Sequence, residues 1–336
     1  MTDILETIQR DSIISFPFLG NWTINPPSSF TLFGRTIYIY GVVVAFAFLL
    51  AILWMTKNCK RFGIKEDDLY DTIIWAIPLG IIGARLYYVL FSLDYYIANP
   101  AKITAIWEGG LAIYGGIIAG IIVIFFLCRH KRIRVSAMLD LAIMGVIIGQ
   151  IVGRWGNFFN REAFGAETTV FCRMGLTSPN GNTIYVHPTF LYESLWNLAL
   201  FVFLCIFIGK GKRKYNGQII LIYLFVYGIG RTMIEGLRTD SLYLGGTNIR
   251  VSQLLSAVLV IFAGAMLIYN GKRVKNGMLR LEAPYLENKD QQEVSASEGS
   301  ADELETNTET TDEENTPEAD DTPDDEPVES ENDQTE

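Results

Sequence analysis

Along most of the chain the hydrophobic residues neither alternate nor repeat every three to four positions. They gather into long runs separated by short polar connections. Seven runs lie near 37–55, 69–91, 110–128, 137–157, 189–208, 217–235 and 250–270. At about 1.5 Å of rise per residue, each can cross a hydrocarbon layer of roughly 30 Å as a helix. A segment in lipid must satisfy its own backbone hydrogen bonds, which selects helices over open strands. The pattern therefore predicts an all-α polytopic membrane protein with seven transmembrane helices. Several runs contain interior glycines, as close helix packing in lipid requires, and Gly116 and Gly120 are spaced as a small-xxx-small pair.

The connections give an orientation. The first carries Lys57, Lys60, Arg61 and Lys65, the third Arg129, Lys131, Arg132 and Arg134, and the fifth Lys210, Lys212, Arg213 and Lys214. After the last run come Lys272, Arg273, Lys275 and Arg280, whereas the second connection has only Lys102 and the sixth Arg238 and Arg250. Basic residues mark the cytoplasmic side, so the N-terminus is expected outside and the C-terminus in the cytoplasm. The fourth connection, roughly 158–188, is then external and rich in turn signals such as Asn180-Gly181 and Pro188.

Composition divides the chain further. Residues 287–336 hold 21 acidic residues and one basic one, while the other 286 residues carry 26 Lys and Arg against 16 Asp and Glu. The overall charge of −10 thus hides a basic body and an acidic tail. With no aromatic residue after Tyr285, the tail cannot bury enough apolar surface to offset ordering entropy, and disorder is expected. The division expected is an external segment at 1–36, a transmembrane catalytic domain at 37–275, a basic juxtamembrane stretch at 276–286 and a disordered acidic cytoplasmic tail at 287–336. Residues 1–30 carry Asp3, Glu6 and Asp11 and lack the apolar stretch of a signal peptide. The four cysteines show neither metal spacing nor a disulfide framework.

Charge inside apolar runs is costly and marks candidate chemistry. By helix rise, Arg154 lies about 26 Å along the fourth run, near its outer end. Arg85 and Arg231 reach similar heights, and Tyr40, Tyr114 and Glu193 fall near the outer ends of runs passing the other way. Gln150, Arg154 and Asn157 share one helix face, as do Tyr227, Arg231 and Glu235, with Arg238 three residues on. Simpler roles exist: Arg231 and Glu235 could be a helix-stabilising pair, Arg85 could snorkel to headgroups, and Asp140 reads as interfacial and structural. Yet arginine binds phosphate through a planar fork and keeps its charge when dehydrated. Several arginines at the outer leaflet point to a lipid-phosphate site, in an enzyme or in a transporter.

Particular motifs carry a resemblance. Gly153-Arg154-x-Gly156-Asn157-Phe158-x-Asn160-x-Glu162-x-x-Gly165 resembles the signature of bacterial prolipoprotein diacylglyceryl transferases. Tyr40-Gly41, Gly83-Ala84-Arg85-Leu86-Tyr87-Tyr88, and Gly109-Gly110-Leu111-Ala112-Ile113-Tyr114-Gly115-Gly116 match in order. So do His187-Pro188-Thr189-x-x-Tyr192-Glu193 and Tyr227-Gly228-x-x-Arg231-x-x-x-Glu235-x-x-Arg238. The resemblance covers about 30–275. It implies a multi-pass enzyme of the bacterial cell membrane that moves the diacylglyceryl group of phosphatidylglycerol to the cysteine thiol of a prolipoprotein signal peptide. Glycerol phosphate is released and a thioether forms, with no metal, cofactor or nucleic acid involved. Carried over, it marks Tyr40, Arg154, Asn157, Glu162, Gly165, Tyr227, Arg231 and Glu235 as important, and with the chemistry it puts Arg154, Arg231, Tyr227 and Asn157, and Tyr114 as one candidate, in catalysis. Arg154, Asn157, Tyr40, Arg85, Glu162, Gly165, Glu235, Arg238 and His187 would bind substrate.

One position departs from the pattern: Tyr114 stands where some members carry histidine. Three readings of the proton acceptor follow: Tyr114 as phenolate, His187 or a carboxylate, or electrostatic depression of the substrate thiol itself. Other classes fit less well. A transporter predicts internal repeats, and none is clear. A retinal receptor needs a lysine in the last run, and 250–270 has none. The only histidines are His130 in a cytoplasmic connection and His187, which leaves a serine protease at most one candidate, with no Gly-x-Ser nucleophile turn near it.

Overall fold

The computed structural model describes residues 12–20, 22–239, 243, 247 and 250–286. The acidic tail expected at 287–336 lies outside the described residues, as does the start of the external segment. Eight α-helices are described: α1 (Ile39–Asn58), α2 (Glu66–Leu90), α3 (Leu93–Ala98), α4 (Ile113–His130), α5 (Val135–Asn160), α6 (Thr189–Gly209), α7 (Gln218–Glu235) and α8 (Val251–Lys275). All but the short α3 are long and apolar enough to cross a membrane, and the first of the seven continues through a 3-10 turn to Phe62. The spans overrun the apolar runs where polar residues favour the helix. Glu66, Asp67 and Asp68, for example, complement the dipole in the first turn of α2.

Helix α5 is the central element. It packs against α1 and α6 and also touches α4 and α7. Ala137, Leu141, Met144 and Ile147 on it are fully buried, joined by Leu204 of α6 and Ile219 of α7. Large apolar residues such as Phe46, Ile82, Ile122 and Ile261 remain exposed around the bundle, as lipid-facing positions would. The tight helix pair is α2 with α4. A methyl group at Gly83 would collide with Ala119 and with the Gly115 carbonyl, and one at Gly115 with the Gly83 carbonyl and Tyr87. The close approach therefore uses Gly115 opposite Gly83, whereas Gly120 faces open space. Spacing alone pointed to Gly116 and Gly120 because it does not reveal which neighbour comes closest.

Two small antiparallel sheets, which the hydrophobic pattern did not reveal, sit at the end where α5 terminates. One has strand order β2-β1-β5-β6, from β1 (Ile13–Phe16), β2 (Trp22–Ile24), β5 (Met174–Thr177) and β6 (Thr183–Val186). Ile14 pairs with Ile24 on one side and Leu176 on the other, so the N-terminal segment and the 158–188 connection form one layer. Ile14, Phe16, Met174, Leu176 and Val186 make its core with Phe158 and Phe190. The other is a hairpin, β3 (Ser29–Leu32) with β4 (Arg35–Tyr38), leading into α1. Strands of three or four residues split across distant segments leave too little alternation to read.

Arg161 ties this layer together. It adopts a left-handed conformation after α5 and donates to the carbonyls of Ser12 at 2.7 Å and Pro26 at 2.8 Å. Its fork also reaches the Asn25 side chain at 2.7 Å. Of the two arginines flanking Asn157 in the motif, this one braces backbone.

At the opposite end, Asp140 is 0 % exposed and has the structural role expected of it. It accepts from the backbone N–H groups of Gly217 at 2.8 Å and Ile220 at 3.0 Å, capping α7 from another helix. The stretch 282–286 crosses the same end as a strap. The Arg134 N–H donates to the Pro284 carbonyl at 2.7 Å, and the Leu286 N–H to that of Arg132 at 2.8 Å. Tyr285 donates to Asp68 at 2.7 Å, and burial, then that carboxylate, push its phenol up to about 12.

Candidate active site

The site grows from a single carboxylate. Glu193 lies in the second turn of α6, and the Ser194 hydroxyl beside it donates to the Ile151 carbonyl of α5 at 2.9 Å, fixing the two helices together. Glu193 is only 4 % exposed, where an isolated charge would be prohibitive. Guanidiniums from two other helices compensate it. Arg154 of α5 approaches one oxygen at 2.5 Å, and Arg231 of α7 the other at 2.8 Å. Arg238, just beyond α7, lies 3.5 Å from the second oxygen. Arg231 is held again by Glu235 one turn further along α7, at 2.6 Å. Three guanidiniums face two carboxylates, leaving one formal positive charge.

The network continues outward along the end of α5. Arg154 reaches the Asn157 side-chain oxygen at 3.4 Å, and the Asn157 amide donates to Glu162 at 2.9 Å. Tyr40 opens α1 with its ring against Gly156, where an added methyl group would meet the ring at 2.5 Å, and Glu162 and Arg154 are its charged neighbours. Tyr227 stacks on Tyr223 at 5.0 Å, and the Tyr223 hydroxyl accepts from Gln150 at 2.8 Å. Arg231, Glu193, Arg154 and Tyr114 surround the Tyr227 phenol electrostatically.

The expected residues thus divide. Arg154, Asn157, Glu162, Arg231, Glu235 and Arg238 are linked by ion pairs and hydrogen bonds, with Tyr40 and Tyr227 beside them. Tyr114, in the first turn of α4, is 42 % exposed and near Tyr87. His187 faces the Tyr192 hydroxyl at 3.3 Å, which in turn meets the Cys172 thiol at 3.3 Å. Gly165 is held by packing. A methyl there would lie 2.7 Å from the His187 Cβ and 2.9 Å from the Leu237 carbonyl, at the bridge that pairs it with Arg238.

Arg85 is placed differently from expectation. It is 7 % exposed and turned inward, not toward headgroups. It donates to the carbonyls of Lys102 at 2.6 Å, Ile103 at 2.9 Å, Gly109 at 2.6 Å and Gly110 at 3.0 Å, and stacks over Tyr96 at 5.2 Å. It shares no ion pair with the cluster among the described residues. Glu193 was the opposite case: visible as a carboxylate in an apolar run on one face with Asn197, yet absent from the expected site. The usable signal was the cost of burying it.

Comparison with known proteins follows the same line. A family profile described as "Prolipoprotein diacylglyceryl transferase" matches residues 27–269. A Finegoldia magna protein named phosphatidylglycerol–prolipoprotein diacylglyceryl transferase is 43% identical over 239 residues, covering 71% of this chain and 93% of its own. Proteins of the same name from Limosilactobacillus reuteri are 45% identical over 248 residues (72% and 89% covered). One from Clostridioides difficile is 43% identical over 253 residues (74% and 97% covered).

Proposed function

The chain belongs to the prolipoprotein diacylglyceryl transferase family, and from that premise we propose how its outer cluster carries out the transfer. The enzyme is a multi-pass protein of the bacterial plasma membrane, acting on phosphatidylglycerol and a prolipoprotein signal peptide. The cysteine sulfur, as thiolate, attacks the carbon of the diacylglycerol moiety that bears the phosphate. A C–S bond forms as the C–O bond breaks. The bonding pair leaves on the phosphate oxygen as glycerol phosphate, and the thiol proton passes to a base.

The observation that supports these roles is the buried Glu193 carboxylate gripped by arginines from different helices. Arg154 and Arg231 stabilise the departing phosphate, with charge set in place before the reaction begins. Glu193 and Glu235 hold the two guanidiniums at fixed positions, and Arg238 adds positive charge beside them. Asn157, Tyr227 and Tyr40 offer hydrogen bonds to phosphate or glycerol, and Glu162 orients Asn157. Both Glu193 oxygens already face guanidiniums, which disfavours Glu193 as the proton acceptor and leaves Tyr114, His187, another carboxylate such as Glu162, or depression of the thiol by the arginines.

The basic connections support an orientation in which the cluster faces outside and the C-terminus lies in the cytoplasm. The expected division places catalysis within 37–275. The function is tested with purified protein, phosphatidylglycerol and a cysteine-containing signal peptide. Glycerol phosphate should appear in step with lipidated peptide. Release that persists with a Cys→Ser peptide would reject thiol transfer.

A further inference from the structure

At the end of the bundle away from Glu193 lies a cavity of about 730 Å³ between the C-terminal ends of α6 and α8 and the start of α7. Glu193 and Phe207, which lines the cavity, are separated by about 21 Å of rise along α6, so the two sites are distinct. Part of the lining is apolar, formed by Phe207 with Leu267 and the exposed Ile268 of α8. The rim carries four lysines, Lys212 and Lys214 from the α6–α7 connection and Lys272 and Lys275 from the last turn of α8. None of them forms an ion pair among the described residues.

Tyr215 contributes to the lining and is 4 % exposed. Its hydroxyl lies beside the Asn270 side chain. Burial pushes its pKa up, so it remains a donor at neutral pH. Four ammonium groups without an ion pair among the described residues repel one another around one concavity, a cost that a bound anion relieves. The volume falls within the range of roughly 300–1,000 Å³ typical of small-molecule sites.

We infer that this groove binds one anionic phospholipid, with its phosphate among Lys212, Lys214, Lys272 and Lys275 and an acyl chain along Phe207 and Leu267. Basic pockets between transmembrane helices recognise anionic headgroups in this way. Free phosphate would leave the apolar wall uncovered, which favours the lipid. Assignment to the cytoplasmic leaflet rests on the orientation proposed above; binding itself does not.

The test is native mass spectrometry of the full chain in detergent, in an Arg231→Ala background that weakens lipid binding at the substrate site. Phosphatidylserine, phosphatidylcholine with the same chains and glycerol phosphate are compared. One phosphatidylserine should be retained. Lys212→Gln with Lys272→Gln should weaken its binding on the order of tenfold, and Lys212→Arg with Lys272→Arg should restore it, which separates headgroup recognition from misfolding. Undiminished binding in the Gln variant, equal retention of phosphatidylcholine, or equally tight glycerol phosphate would each overturn the proposal. A lack of transfer by the unsubstituted chain would count against the function. Labelling of Lys212→Cys, in a chain with Cys172→Ser, by an impermeant maleimide outside intact cells would count against the orientation.

Discussion

Three guanidiniums can occupy one small, dry volume only if carboxylates neutralise part of their repulsion, and Glu193 and Glu235 supply that. Truncating one partner of a buried pair commonly costs about 3–5 kcal/mol, because the remaining charge is stranded. The same arrangement explains what could be read beforehand. Arg154 and Arg231 stood out because arginine in an apolar run is costly wherever it points. Glu193 was visible but unranked, because its partners come from two other helices and sequence does not reveal which faces meet. Proton transfer is also decided at single residues. If the Tyr114 phenol accepts the thiol proton, Tyr114→Phe should lower the transfer rate at neutral pH by about 10²-fold or more. A rate close to that of the unsubstituted enzyme would remove it from that step and leave His187 to be tested in the same assay.

Among the elements, the connection between α3 and α4 shows how a charged side chain can serve the fold. Arg85 gathers four carbonyls of 102–110, and the Ala112 N–H donates to the Ala84 carbonyl at 3.0 Å, so the start of α4 and Tyr114 are set against α2. No periodicity reveals that a loop folds back onto an arginine, so these contacts of Arg85 were not legible in the sequence. Arg85→Lys keeps the charge but loses the fork. It should lower the melting temperature and make the 99–112 connection sensitive to protease; unchanged protection would show that the carbonyl contacts contribute little. The sheets were hidden for a related reason, since β1 pairs with β5 about 160 residues away.

For the whole molecule, hydropathy and basic residues sufficed for seven spans and a proposed orientation, because the bilayer constrains length and charge so strongly. Cross-helix contacts, the sheets and the strap at 282–286 needed the structure. Catalysis is assigned here to the seven-helix body, so deleting 287–336 should leave the transfer rate within about threefold, an effect below roughly 1 kcal/mol in barrier height. Loss of activity with normal membrane insertion would show that the acidic tail takes part. The central claim, that arginines held by Glu193 carry the departing phosphate, is tested most directly by the turnover of Arg231→Ala at saturating phosphatidylglycerol, read as glycerol phosphate released to a cysteine-containing signal peptide. A fall of about 10²–10³-fold in kcat is expected in a folded, membrane-inserted protein; an unchanged kcat would show that Arg231 does not carry the departing phosphate.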